Sequence, residues 1–230
     1  MLERLLEYER GAFFLLNGSD CPALDRFFWL VSSRVVWLPL GAFIIFMIVR
    51  HKSWREYLPV LVAIAIVIVL ADQFASHFCK SFFARPRPTH HPDFMNEVKT
   101  VFDYRGGKYG FMSSHAANAF GFAVFMSALF RNAFFTVAVG LWAMLTAYSR
   151  VYLGVHFISD VVAGGISGAF FGYAVYLLHV NLRHKWITAK NAGEAGEICT
   201  EGEKRIIGAA IIGMIIVLLL FNQAITIAVV

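Results

Sequence analysis

Residues 57–79 read YLPVLVAIAIVIVLADQFASHFC, a run in which Asp72 is the only charged side chain. A bilayer core asks for about 20 predominantly apolar residues in helical form, and this run supplies them. Five more stretches have the same character: residues 27–49, 113–130, 133–152, 156–180 and 206–230, the last with no charge at all. The whole chain agrees. It has 230 residues, 59% of them hydrophobic and only 15% charged, with a mean hydropathy of +0.65. Soluble domains carry roughly a quarter charged residues. A disordered chain and a typical soluble enzyme are thereby excluded. Cys21, Cys79 and Cys199 are too few and too scattered for a disulfide framework or a cysteine-rich metal site. The expected fold is all-α: a polytopic membrane protein, a six-transmembrane-helix bundle forming a single domain over residues 1–230. Residues 1–26 mix charged and apolar side chains and predict an N-terminal interfacial helix, followed by a turn through Asn17, Gly18 and Asp20.

The loops between the runs form two sets on opposite sides. One contains residues 80–112 and 150–155. The other contains residues 50–56, Arg131 and residues 181–205. The second set has nine Lys and Arg residues against seven in the first, which places the second in the cytoplasm and the first outside. Six spans then put both termini on the first side, where Arg4, Arg10 and Arg26 reverse the count to ten against nine; a re-entrant or interfacial element before Arg34 would move the N-terminus. The formal net charge of +5 sits in these connecting segments. It suits contact with anionic membrane lipids and gives no sign of nucleic-acid binding.

Polar side chains with chemical potential gather in the first loop set. Lys80, Arg85 and Arg87 follow the 57–79 run within eight residues, with Pro86 and Pro88 stiffening the backbone. Basic residues at a membrane end often only snorkel, but arginine is also the natural bidentate partner of a phosphate. Ser113, Ser114 and His115 open the next run. Serine there is a helix cap signal, and the free N–H groups of a helix start attract anions. Ser149, Arg150, His156 and Asp160 form the third cluster. His156 and Asp160 are four apart and share a helix face, so Asp160 is expected to accept the ring N–H of His156, fix its tautomer and favour its protonated form. A basic cradle with two histidines is what phosphoryl transfer without a metal would use.

These residues carry a resemblance to the type 2 phosphatidic acid phosphatase superfamily, whose signature is Lys, six residues, Arg-Pro; then Pro-Ser-Gly-His; then Ser-Arg, five residues, His, three residues, Asp. The chain has Lys80, SFFARP, Arg87-Pro88, and Ser149-Arg150, VYLGV, His156, FIS, Asp160. The middle motif departs: Met112-Ser113-Ser114-His115 replaces Pro-Ser-Gly-His, which removes a rigid backbone point and a glycine. The resemblance implies His156 as the nucleophile forming a phosphohistidine, Asp160 as its orienting and charging partner, and His115 as general acid and later base. It implies Lys80, Arg87, Ser113 and Arg150, with the N–H of Ser114, as phosphate ligands. It also implies a bacterial inner-membrane protein with its site at the external face, no cofactor and no metal. The substrate would be a lipid phosphate: undecaprenyl diphosphate, phosphatidylglycerophosphate, phosphatidic acid or lipid A. The motifs fall one loop earlier than in six-span members, which points to a missing span before Phe27 or to a further helix within residues 12–33.

Other polar features read differently. His90, His91 and Asp93 have poor metal-ligand spacing. Gly106, Gly107 and Gly110 read as turns. His51, His77 and His179 read as interfacial, and the acidic loop 189–204 as solvated. Arg34 and Asp72 inside apolar runs support a competing reading, a transporter or flippase. A soluble haloperoxidase-like relative binding vanadate is opposed by the spans. Finally, His156, Asp160, Gly164, Gly168 and Gly172 recur every four residues, which predicts close packing against the run that carries His115.

Overall fold

The computed structural model describes residues 2–93, 95–188 and 197–229, and among these the chain is helical with no strand. Helix α1 covers Leu2–Leu16 and α2 covers Pro22–Ser32. A 3-10 turn leads into α3, Leu38–Val49. Helix α4, Trp54–Gln73, runs on through a π segment, Phe74–Cys79, into the short α5, Lys80–Phe83. Then come α6, Ser114–Phe130; α7, Ala133–Tyr152; α8, Ile158–Thr188; α9, Glu201–Leu220; and α10, Asn222–Val229.

Three continuous helices among the described residues are long and apolar enough to cross a membrane: Trp54–Phe83, Ala133–Tyr152 and Ile158–Arg183. The count rises to five if each bent pair is one span, and α6 is a shorter apolar helix. The continuous run expected over residues 27–49 is instead broken. Helix α2 ends at Ser32, and the chain bends by 71° before continuing as α3. Helix α2 thus lies within the stretch 12–33 where the motif offset called for a further helix. The run 206–230 is likewise broken: α9 starts earlier, at Glu201, and turns by 86° into α10 around Phe221. Each bend falls on polar residues, Ser32-Ser33-Arg34 and Asn222-Gln223, but hydropathy registers composition only and does not report a change of direction. The start of the acidic loop lies outside the described residues; its end folds as a capping box at the head of α9, where Thr200 and Glu203 satisfy each other's backbone N–H.

The outward surface is apolar, with Val137, Ile166 and Phe170 each more than half exposed, while the helix interfaces are lined by small residues. That inversion fits a lipid solvent, in which association rests on close packing rather than on expulsion of water. Helices α6 and α8 form the tightest pair. A Cβ built on Gly164 would collide with the carbonyl oxygen of Ser113, on Gly168 with that of Ala117, and on Gly172 with that of Gly121. The predicted glycine face therefore does meet the helix that carries His115, in a register that advances four residues at a time on both helices. Helix α4 packs on both members of this pair, α7 joins α6 to α9, and α2 lies on α7 and α10.

The two loop sets separate to opposite ends. At one end Arg50 binds Glu203 at 2.7 Å and Asn132 binds Glu201 at 2.7 Å. At the other, Asn17 accepts from the backbone N–H of Lys99 at 2.8 Å and donates to the carbonyl of Tyr152 at 3.0 Å. The predicted turn after α1 is thereby tied to the loop 84–113 and to the end of α7. His179 departs from expectation: it is buried in the bundle beside Phe125 rather than interfacial.

Candidate active site

Three pieces of backbone converge at the end that holds the 84–113 loop. The first is the segment after α5. Ala84 takes a left-handed conformation (φ 44°) that stops the helix. Residues 85–87 then pair with 108–110, through Arg87 N–H to the Lys108 carbonyl at 3.0 Å and Gly110 N–H to the Arg85 carbonyl at 2.9 Å. This pairing holds Arg87 and Arg85 in place. The second piece is the start of α6, capped by Ser113, whose Oγ accepts from Ala116 N–H at 3.4 Å. The Ser113 N–H donates to the backbone carbonyl of Asp160 at 3.0 Å, so the second and third motifs touch directly. The third is the turn between α7 and α8. Gly154, at φ +72°, passes so close to Val98 and Lys99 that no side chain fits there, and the turn delivers His156 to the interior.

His156 is buried. Its Nε2 lies 3.0 Å from Nη1 of Arg87, which also donates to the Val155 carbonyl at 2.9 Å. Because a guanidinium can only donate, Nε2 is the acceptor and the proton resides on Nδ1. That nitrogen lies 3.4 Å from Oδ2 of Asp160 without an aligned hydrogen bond. Asp160 is bound more closely elsewhere: Oδ1 accepts from Arg85 Nη1 at 2.8 Å, and Oδ2 from Phe157 N–H at 3.0 Å. The expectation that Asp160 favours a charged His156 is not met by this geometry. Burial first, and then Arg87, Arg150 and Lys80, hold the imidazole well below the usual histidine range, so it is neutral with an unprotonated Nε2 that accepts from Arg87.

The other expected residues surround this nitrogen. Arg150 is buried at the end of α7, donates to Ser32 Oγ and to Tyr104 Oη (3.3 Å), and keeps an unpartnered Nε. Lys80 reaches Ser76 Oγ at 3.4 Å from the start of α5 and lies within electrostatic reach of Arg87 and Arg150. Arg87 is pushed down to about 10, mainly by burial and then by Arg150, and so stays cationic at neutral pH. His115 feels Arg150, Arg34, Lys80 and Arg87. Ser114 is buried in the first turn of α6, where its N–H has no intrahelical acceptor. Met112, at the divergent position, is buried with its sulfur accepting from Ser167 Oγ at 3.1 Å. Three cations and a helix start thus face one uncharged imidazole, an arrangement that attracts an anion and offers it a nucleophile.

Several contributors were not foreseen. Arg85 belonged to the basic cluster but was given no place in the site; it binds Asp160 on one side and Glu9 of α1 on the other, at 2.7 Å. Gly110, read as a turn, lies where a Cβ would come within 2.9 Å of Asp160 Oδ2 and 3.2 Å of Arg87 Cγ. Its absent side chain lets the loop close over both residues. Asp72 accepts from Asn118 at 3.4 Å.

Comparison with known proteins agrees with the geometry. The PAP2 superfamily model matches residues 56–184. A lipid A 4'-phosphatase of Porphyromonas gingivalis is 38% identical over 225 residues, covering 98% of this chain and 95% of the relative. One of Bacteroides thetaiotaomicron is 36% identical over 179 residues, covering 77% and 80%. The crystal structure of Aquifex aeolicus LpxE superposes with a TM-score of 0.56 at 29% identity, covering 73% of this chain and 94% of that one. A transmembrane PAP2-type phosphatidylglycerolphosphate phosphatase from Bacillus subtilis shares the fold, with a TM-score of 0.52 at 22% identity over 80% of this chain and 87% of that one. With the match extending over more than half its length and the three motifs folded into one pocket, the chain belongs to the PAP2 superfamily, in its bacterial membrane lipid-phosphatase branch.

Proposed function

We propose that this protein removes a phosphate from a lipid without a metal, by way of a phosphohistidine on His156. The observation that carries the reading is the unprotonated Nε2 of His156, held by the Arg87 guanidinium at 3.0 Å until a phosphate takes that guanidinium's place, with Arg150 and Lys80 close enough to be felt. In the first step Nε2 attacks phosphorus and the bond from phosphorus to the lipid oxygen breaks. His115 donates a proton to that oxygen. The ring retains its Nδ1 proton, so the phosphohistidine is cationic and Asp160 faces the charge. In the second step His115 takes a proton from water, the hydroxide attacks phosphorus, the P–N bond breaks, and inorganic phosphate leaves. Arg87, Arg150, Lys80 and the N–H of Ser114 would neutralise the equatorial oxygens, with Ser113 capping the helix that presents them.

A cavity of about 360 Å³ adjoins the site, lined by His115, Arg34, Trp37, Phe122 and Trp142. It suits the lipid portion attached to the leaving oxygen. A larger, shallower depression of about 740 Å³ at Arg131, Glu201 and Arg205 belongs to the opposite end of the bundle and has no nucleophile. Among undecaprenyl diphosphate, phosphatidylglycerophosphate, phosphatidic acid and lipid A, the names of the two curated relatives favour a phosphate monoester of lipid A. In this reading residues 1–230 form one domain in the inner membrane, with six spans when the two bent pairs and α6 are counted, α1 lying along the interface and the site on the external face.

The test is release of inorganic phosphate from a panel of purified lipid phosphates. The lipid A phosphate is expected to turn over fastest, and His156→Ala to lower turnover by about a thousandfold or more while binding of a phosphate analogue persists. Wild-type turnover by that variant would end the mechanism. Turnover is expected to survive a metal chelator and to be inhibited by vanadate; loss in chelator with restoration by a divalent ion would count against it.

A further inference from the structure

We infer that Glu9, on the N-terminal helix, is a positioning residue for the nucleophile, acting through Arg85 and Asp160. The inference rests on the reading of His156 as the nucleophile. Glu9 reaches into the site end with both oxygens engaged. Oε1 accepts from Arg85 Nη2 at 2.7 Å and from Ser159 Oγ at 2.7 Å, and Oε2 accepts from the backbone N–H of Ser159 at 2.8 Å. The pair is withdrawn from solvent, with side-chain exposures of 2% for Arg85 and 10% for Glu9. Arg85 then spans from Glu9 to Asp160, its guanidinium lying 4.3 Å from the centre of the Phe157 ring.

Two physical consequences follow. The first concerns the start of α8. Asp160 accepts from the N–H of Phe157 at 3.0 Å, which is one half of a capping box. The other half needs an oxygen at Phe157, which has none. Glu9 supplies an acceptor from α1 instead, taking the Ser159 N–H at the second helical position rather than the third-position N–H that a capping box would use. The first turn of α8, which holds Asp160 under His156, is thus completed by a residue 150 positions away. The second concerns charge. Arg85 alone against Asp160 would form a neutral buried pair and blunt the carboxylate. With Glu9 as a second acidic partner, one guanidinium is shared by two carboxylates, so the Glu9–Arg85–Asp160 cluster is net negative and presents Asp160 to Nδ1 of His156, 3.4 Å away. That charge matters when the ring becomes a cationic phosphohistidine and much less in the resting state, so Glu9 contributes to the rate rather than to substrate binding.

Glu9→Gln tests this at constant size. The amide can still accept from Ser159 but removes the charge shared with Arg85. In the full-length protein in lipid nanodiscs, with the best substrate from the panel and at a temperature where both proteins are folded, kcat is expected to fall by about tenfold or more with KM within about twofold. Glu9→Asp, which keeps the charge, is expected to recover part of kcat. A smaller fall in kcat, a matching rise in KM or no recovery with aspartate would each overturn the proposal. His156→Ala measured alongside separates the two claims. If it retained turnover, the nucleophile assignment would fail on its own variant, whereas a failure confined to the Glu9 variants would leave that assignment intact.

Discussion

In the proposed mechanism the protonation state of His156 controls the chemistry, and it follows from three neighbours and burial. Arg87 donates to Nε2, which fixes the tautomer, and the surrounding cations make a second positive charge costly. The sign of the pH effect is set by this depression. Unfolding returns the imidazole to an ordinary value near 6.5, so below that pH the unfolded chain binds a proton that the folded chain does not. The stabilising contribution is complete above about 6.5 and is lost as pH falls. Between pH 8 and 5.5 the wild type is therefore expected to lose about 1.4 kcal/mol more stability than His156→Gln. Equal losses in denaturant titrations of the two proteins would mean that His156 takes up its proton while folded. Much of the site was legible at this scale, because Lys80, Arg87, Arg150, His156 and Asp160 sit at motif spacings. Glu9 was not legible. Its partners lie 76 and 150 residues away, and a glutamate on an amphipathic helix looks like any solvated charge.

At the scale of elements, the glycines of α8 set how closely the two histidine-bearing segments approach. Gly168 abuts the backbone of Ala117, two residues beyond His115, so any larger side chain must part α6 from α8. Gly168→Leu is expected to lower turnover by about tenfold or more, because overpacking costs about 1–3 kcal/mol and misplaces groups that need ångström alignment. Ala174→Leu, on the exposed side of the same helix, is expected to leave turnover intact. Equal activity of the two variants would remove the packing argument. The four-residue repeat announced this interface because α-helical periodicity maps sequence directly onto a face. The π segment Phe74–Cys79 immediately before Lys80 gave no such signal. It shifts the angular position of everything after it, and so decides where Lys80 points without any change in residue type. The breaks at Ser33 and Phe221 carry polar residues, Ser32-Ser33-Arg34 and Asn222-Gln223, but polar residues inside an apolar run mark a place without saying that the helix turns there.

On the scale of the whole molecule, the break between α2 and α3 has a purpose that a straight span would not serve. A continuous helix over residues 27–49 would run past α6 and α7. The 71° bend instead opens a cavity of about 360 Å³ whose wall includes Arg34 and Gly41 on one side and His115 and Phe122 on the other. Ser32, at the bend, also binds Arg150, so the cavity and the phosphate cradle share a wall. In the proposed function the substrate thereby divides into a charged part held by the loops and an apolar part held by the bend. Gly41 offers a way to separate them. No atom lies within 4 Å of a Cβ built there, so a larger residue can enter the cavity without moving backbone. Gly41→Leu is expected to raise KM for a long-chain lipid phosphate by about tenfold, the loss of about 1.4 kcal/mol of apolar contact. For p-nitrophenyl phosphate, which has no chain to place, KM should change little, and kcat for both should hold because His156, Arg87 and Arg150 are untouched. An equal rise in KM for both substrates would mean that the cavity belongs to the phosphate site itself, and no rise for either would mean that the lipid takes another path to His115.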